Sequence, residues 1–415
     1  MYNTILTLLF FFLSGLYISW IIIYLLPKKQ YEKKFYDVSI VIPAHNEEKS
    51  IERTIKSILE AVYPKEKEVI VINDGSTDNT ENILMRICKN HNEVKFFNTP
   101  HLGKAKALNF GIKKAKNEIL LILDADSEIE KDGLTKICSP FSDKEVMAVG
   151  GVIRAKLSRN PLTWFQDLDY VISSSWRYIC DKIDAGYMLP GFAAFRREAL
   201  WKVCGFSTDT LSEDVDVGLK LRANGYRVAM SDATIRTKVP DSINGLIKQR
   251  IRWGRGGLQV LKKHKKLFFK NFRFLYGMGT QFYWYLHCSV YIPSILFSMI
   301  SGYFTYFFFK NNVISIDVFR YFFSWLSAYG MIEYAYRVFT GFYRMDLYFI
   351  AAFTLFVLYL LYTFMMLIRF KYDMRNLFAL FFYFPYTIFV SSLHTFPAFY
   401  DFLKGKAYNR WEKVE

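Results

Sequence analysis

Three short runs rich in β-branched residues, Val38–Pro43, Glu68–Ile72 and Glu118–Leu123, alternate with segments of helical spacing, and each ends in a polar cluster. Ser50–Ala61, with Ser50 at its N-cap, Thr77–Lys89 and Lys104–Lys116 read as helices, and Val94–Asn98 and Val146–Ile153 as further strands. Repeated strand–helix–strand units close as a mainly parallel sheet with helices on both faces. Ligands of such sheets bind beyond the carboxyl ends of the strands. Pro43–Glu48, Asn73–Asp78 and Asp124–Asp126 all fall on that rim.

Apolar segments flank this domain. Thr4–Leu26 carries no charge and is long enough to cross a bilayer. It lacks the basic leader and small-residue cleavage site of a signal peptide. Lys28, Lys29, Lys33 and Lys34 follow it, so the positive-inside rule places the next domain in the cytosol, at the plasma membrane. The chain has 40 Phe and 29 Tyr, too many for an ordinary soluble domain, and much of the excess follows residue 274. Further spans are expected at Ser289–Phe309, Leu347–Ile368 and Asn376–Phe399. Val318–Phe339 is ambiguous, because Arg320, Glu333 and Arg337 at membrane depth need a partner or a wet cavity. Four late spans would put the tail in the cytosol and Arg369–Arg375 outside; three would do the reverse. The expected organisation is a membrane helix over 1–30, an α/β domain over 31–245, interfacial helices over 246–288, a bundle of three or four helices over 289–400 and a basic tail over 401–415.

The net charge of +16 suits an anionic partner. No nucleic-acid-binding pattern is present, which leaves acidic lipid or a diphosphate. Lys262, Lys263, Lys265, Lys266, Lys270 and Arg273 interleave with Leu267, Phe268, Phe269 and Phe272, the pattern of a helix lying on an anionic membrane surface. Five cysteines without a CxxC exclude a disulfide framework and a zinc site.

The polar clusters carry the chemistry. Asn73–Gly75 suits a turn, but after a buried strand Asp74 could accept a hydrogen bond from a base or ribose, as could Glu47 on the neighbouring loop. Asp124 and Asp126, two residues apart at a strand end, suit Mg²⁺ or Mn²⁺ that also binds phosphate oxygens. Ile129 and Thr135 stand where a calcium loop needs Gly and Glu. Lys104 at a helix start could reach a phosphate. Glu213 and Asp214 precede a helix, and Asp214 is the candidate general base. Gln249, Arg252 and Trp253 combine an amide, a phosphate-binding guanidinium and a flat face for a sugar ring.

Pro43–Glu47 with Asp74, Gly103–Asn109, Asp124–Asp126, Glu213-Asp214 and Gln249-x-x-Arg252-Trp253 resemble family 2 glycosyltransferases. More narrowly they resemble the membrane-embedded processive members, the synthases of poly-N-acetylglucosamine, hyaluronan, chitin and cellulose. Size and layout are closest to the poly-β-1,6-N-acetylglucosamine synthases. The likeness covers about residues 36–275. It implies a GT-A fold, a Rossmann-like mixed sheet, joined to a helical membrane region. It also implies a UDP-sugar donor, a growing glycan acceptor, a divalent metal and an inverting displacement, with a small accessory membrane subunit as a conceivable partner. By the same resemblance Asp74 contacts uridine, Asp124 and Asp126 serve metal and diphosphate, and Asp214 is the base. Gln249, Arg252 and Trp253 then hold diphosphate and acceptor, and Gly191–Arg197, including Arg196, is the acceptor-side stretch. Phe192 and Ser212 depart from the family pattern. A non-processive transferase acting on a lipid is the alternative reading.

Overall fold

The computed structural model describes residues 2–405. Eight strands form one sheet: β1 (Val38–Ala44), β2 (Lys67–Asp74), β3 (Val94–Thr99), β4 (Ile119–Leu123), β5 (Ser127–Ile129), β6 (Val146–Ala155), β7 (Phe192–Arg196) and β8 (Arg227–Thr237). The spatial order is β3-β2-β1-β4-β7-β6-β8-β5. The first four neighbours are parallel, as expected. β7 then runs antiparallel to both β4 and β6, so the sheet is mixed.

The central strands are buried on both faces, which is why they read as continuous apolar runs rather than alternating ones. Ile40, Val41 and Ile42 have no solvent exposure, and burial of such side chains contributes roughly 1.5–3 kcal/mol each. The helix Ile51–Leu59 closes one face with Ile51, Ile55 and Ile58, and Lys104–Lys114 closes the other with Ala107, Leu108 and Ile112. Gly111 has no alternative there: a Cβ would sit 2.4 Å from Val41 Cγ1. Because β1, β2 and β4 are parallel, Ala44, Asp74 and Asp124 emerge on one rim.

Among the described residues three helices are long and apolar enough to cross a membrane: Thr4–Leu25, Phe272–Lys310 and Leu347–Arg369. Two expected boundaries fall inside continuous helices. The helix Phe272–Tyr306 runs unbroken through the expected break at 288/289. Likewise Ile243–Lys263 runs through the boundary at 245/246. That helix is also more than a surface helix. It packs on the domain and along the helix Tyr383–Lys404, so closely that a Cβ on Gly254 would lie 1.8 Å from the His394 carbonyl oxygen. The exposed basic-aromatic surface is confined to the turn that follows, where Phe269 and Phe272 face outward.

Val318–Phe339 is not one helix. It is a hairpin of two short helices, Ile316–Leu326 and Tyr329–Phe339, each about 16 Å long at 1.5 Å per residue, half a bilayer core. The expected span Asn376–Phe399 is also broken, into Met374–Phe381 and Tyr383–Lys404, bent by 76°. Pro385 explains the break, since its ring excludes the hydrogen bond to the carbonyl of Phe381 four residues earlier. That carbonyl accepts instead from the Ala328 amide at the hairpin tip, at 2.9 Å.

The bent pair is held on the domain's side throughout. Asn376 donates to Asp167, Tyr383 to Asp169, and Arg255 pairs with Asp401. Arg369 pairs with Asp232, which also pairs with Lys28 at the end of the first apolar helix. The stretch Arg369–Arg375 therefore lies on the domain's side, and among the described residues three helices, or four spans if the bent pair counts as one, are long and apolar enough to cross. The expected basic tail falls mostly on residues 406–415, outside the described residues. All five cysteines are free.

Candidate active site

One cavity of about 2610 Å³ opens at the rim of the sheet and continues between the apolar helices. Eleven of the twelve residues expected from sequence line it: Glu47, Asp74, Lys104, Asp124, Asp126, Gly191, Glu213, Asp214, Gln249, Arg252 and Trp253. Arg196 does not. Its guanidinium is buried against Glu118 and the Phe141 and Val146 carbonyl oxygens, stacked over Tyr36 and Phe141. It anchors β7 and has no path to a diphosphate or acceptor.

The loop after β2 shows what Asp74 does locally. Its carboxylate accepts from the amides of Leu102 (2.7 Å) and Gly103 (2.9 Å), fixing the turn that starts the Lys104 helix. Gly103 adopts φ +86°, a conformation that L residues avoid. His45 and His101 stack with ring centroids 4.1 Å apart over this loop, each with Nδ1 near the Asp74 carbonyl oxygen. His45 lies within the rim cluster Pro43–Glu48 without a signal that singles it out there, and His101 belongs to no motif.

At the end of β4, Asp124 pairs with Lys104 at 2.7 Å, and Lys104 lies 3.6 Å from Glu213. Burial alone would lower the Lys104 pKa, but Asp124 and Glu213 outweigh it and hold the ammonium charged. Gly191 adopts φ +42°, and a Cβ there would meet Asp124 Oδ2 at 2.7 Å. A glycine is needed to let β7 start beside that carboxylate. Asp126 accepts from Thr237 and Ser127, and its pKa is pushed up by burial and then by Asp124 and Glu47. Carboxylates that repel one another in a dry site suit a divalent cation. Among the described residues no group of three or more His, Cys, Asp or Glu could hold a metal alone. Asp124 and Asp126 therefore fit an ion whose remaining positions a diphosphate completes.

Asp214 is buried, and its pKa is pushed up by burial and by Glu213, against Lys104 and Arg252. This is the environment of a carboxylate poised to take a proton. Arg177 is a second residue that sequence reasoning missed. It is 4% exposed, lines the cavity, and donates to Gly151 and Ser174. Its burial lowers its pKa to about 10.

Asp216 joins two motifs that are far apart in sequence. It shares the first turn of a helix with Glu213 and Asp214 and is completely buried. It accepts from His264 Nε2 at 2.8 Å and lies 3.1 Å from Lys263 Nζ. His264 caps the helix that carries Gln249, Arg252 and Trp253. Gln259 of the same helix accepts from the Leu211 amide, and Gly256 leaves no room for a Cβ against Ser212. These contacts set Arg252 relative to Asp214. Trp253 stacks near Tyr170 and under the Arg250 guanidinium at 4.5 Å, and Arg250 is held by Asp169.

A mixed sheet with carboxylates on its parallel-strand rim and a facing Arg-Trp helix defines a GT-A domain joined to a membrane-type helical region. Residues 39–204 match the family described as "Glycosyl transferase family 2". A poly-β-1,6-N-acetyl-D-glucosamine synthase of Staphylococcus epidermidis is 35% identical over 248 residues, 57% of this chain and 58% of that protein. Its counterpart from Staphylococcus aureus (strain COL) is 32% identical over 234 residues, 54% of this chain and 55% of that protein. The match thus spans little more than half the length of these curated relatives. A mannosyltransferase from Pyrobaculum calidifontis, solved in complex with GDP-Man and Mn²⁺, superposes with a TM-score of 0.62 at 24% identity, over 85% of this chain and 96% of that one. At that identity it speaks for the fold.

Proposed function

We propose that the protein is an inverting, processive hexosyltransferase that extends a β-linked polysaccharide from a UDP-sugar, UDP-N-acetylglucosamine by analogy with its relatives. The observation that carries this reading is the single cavity joining the carboxylate rim to the interior of the helical region. Asp214 takes the proton of the acceptor hydroxyl, whose oxygen bonds to the anomeric carbon as that carbon's bond to the diphosphate oxygen breaks. Arg252 and Lys104 sit where they would neutralise the departing UDP. A divalent ion held by Asp124 and Asp126 would add positive charge at the diphosphate. One base and one displacement invert the anomeric centre, so an α-linked donor yields a β-linkage.

The membrane part of the cavity favours a sugar chain over a lipid tail. The Tyr283 hydroxyl and His287 Nδ1 are buried there without a hydrogen-bond partner among the described residues. Unpaired buried polar atoms cost roughly 1–3 kcal/mol each, and sugar hydroxyls or water would satisfy them where an acyl chain would not. The second reading, transfer of one sugar to a lipid, draws on the many apolar side chains in the same walls. The domain would lie in the cytosol, where Lys28, Lys29, Lys33 and Lys34 follow the first crossing, with the turn after Lys263 on an anionic lipid surface. Protein purified in nanodiscs, given UDP-N-acetylglucosamine and Mg²⁺ or Mn²⁺, should release UDP and yield a ladder of glycans by mass. Single-sugar products alone, or a requirement for added lipid, would establish the second reading.

A further inference from the structure

Outside the active site, three cations converge where two membrane helices meet the domain. Lys28 follows the first apolar helix, Arg369 ends the third, and Lys182 ends the domain helix Pro161–Lys182. All three surround the Tyr178 ring, at 5.1, 4.2 and 5.4 Å from its centroid for Lys28, Arg369 and Lys182. Lys182 donates to the Tyr24 and Leu26 carbonyl oxygens. Among the described residues only one carboxylate opens onto the group: Asp232, which takes Arg369 at 2.8 Å and Lys28 at 3.3 Å and is itself 52% exposed. The next acid, Asp181, is buried behind it and gives a carboxylate oxygen to the Met230 amide. Arg369 Nε is buried and donates to nothing among the described residues. Positive charge is in excess: the Lys182 pKa is lowered by burial and then by Arg369 and Lys28.

The level of this cluster is set by its neighbours. Leu25, Leu26 and Ile368 expose their side chains immediately beside it. Exposed apolar residues on the span side and cations on the domain side are the arrangement of a headgroup boundary. We propose that Lys28, Lys182 and Arg369 form a binding site for the phosphate of an anionic phospholipid, seated between the first and third membrane helices on the domain's face. The phosphate would add acceptors for the unused N–H of Arg369 and for the lysines, with Asp232 as its competitor. The lipid would tie two helix ends to the domain helix. The inference rests on the reading that these helices cross a membrane, and not on the transferase chemistry.

The test reads stability, so an inactive enzyme does not disturb it. Wild type, Lys28→Gln, Arg369→Gln and Asp232→Asn are placed in discs of phosphatidylcholine, with or without phosphatidylglycerol, and melted. Phosphatidylglycerol should raise the wild-type midpoint by about 3 °C. The shift should shrink to under about 1 °C in Lys28→Gln and Arg369→Gln, and grow in Asp232→Asn, where the competing carboxylate is neutral. An equal shift in all four proteins overturns the proposal. So does a full shift with millimolar inorganic phosphate in phosphatidylcholine discs, which would make the occupant a soluble anion. Failure of the protein to enter discs at all would instead count against the membrane reading.

Discussion

The rim of the sheet and the helical half of the cavity are built by different rules. On the rim, each polar residue leaves the end of a buried parallel strand, so its position follows from short stretches of chain: Glu47 after β1, Asp74 after β2, Asp124 and Asp126 after β4. In the helical half, polar groups such as His287, Glu333 and Arg337 face the cavity because distant helices pack around it. The rim can therefore be altered one residue at a time, with chemistry as the readout. Changes in the helical half should alter how a chain is held and how long it grows.

The largest effect separating the two regions should come from Asp214→Asn. UDP release is expected to fall about 10³-fold while UDP affinity stays within about threefold. An active Asp214→Asn protein would remove the base from the rim and sink the mechanism. Asp126→Asn, or chelation of divalent ions, should lower turnover by about 10²-fold or more and weaken UDP binding as well. Turnover that survives chelation would leave the charge neutralisation to Lys104 and Arg252 alone.

The pH profile sharpens the same picture. As the proposed base Asp214 would have to be ionised, and its pKa is raised to about 6. The rate should therefore climb as pH rises through about 6 and fall about tenfold per unit below it. Stability should follow Asp216 instead. Its pKa is lowered to about 2: burial opposes this, but His264, Ser207 and Lys263 overcome it. Its contribution is present above the unfolded value of about 3.9 and is lost as pH falls from there toward about 2.

Asp216 also tests how far the rim depends on tertiary contacts. Asp216→Asn should reduce kcat about tenfold and lower the melting temperature, because His264 and Lys263 lose a buried counter-charge. His264→Gln keeps a donor to Asp216 and should retain most of kcat, whereas His264→Leu should not. If both His264 variants behave alike, the contact serves only the fold. The smallest effect is expected from His287→Phe in the helical half. UDP release should change by less than about threefold, while product length measured by mass shifts downward. A change in initial rate as large as that of a rim variant would erase the distinction between the two regions.

Much of the rim was legible before the structure because strand ends are local features. A β-branched run followed by Asn-Asp-Gly or Asp-Ala-Asp places its carboxylates wherever the sheet goes. Arg196 shows the limit. It closes the stretch Gly191–Arg197, yet side chains alternate along a strand, and β7 turns Arg196 into the Glu118 side of the domain. Arg177 and His101 belong to no motif, and only packing brought them to the cavity. The helical half was legible as apolar content but not as path. The hydropathy of 318–339 and 376–399 resembles that of spans, but the consequence of Pro385 depends on what donates to the freed Phe381 carbonyl. The donor, the Ala328 amide, lies on a hairpin more than fifty residues away.

The sequence by itself determined the alternation that makes the sheet, the rim carboxylates, the Gln-Arg-Trp helix and the first and third membrane helices, since each rests on residues close in the chain. Only the tertiary structure decided which side Arg369–Arg375 occupies, that the last apolar segment bends by 76°, and that Asp216 ties the Asp214 helix to the Arg252 helix. Those features are ion pairs and hydrogen bonds between residues dozens to hundreds of positions apart, Lys28 with Asp232 and Asp232 with Arg369 among them. Spacing along a chain carries no record of such pairs.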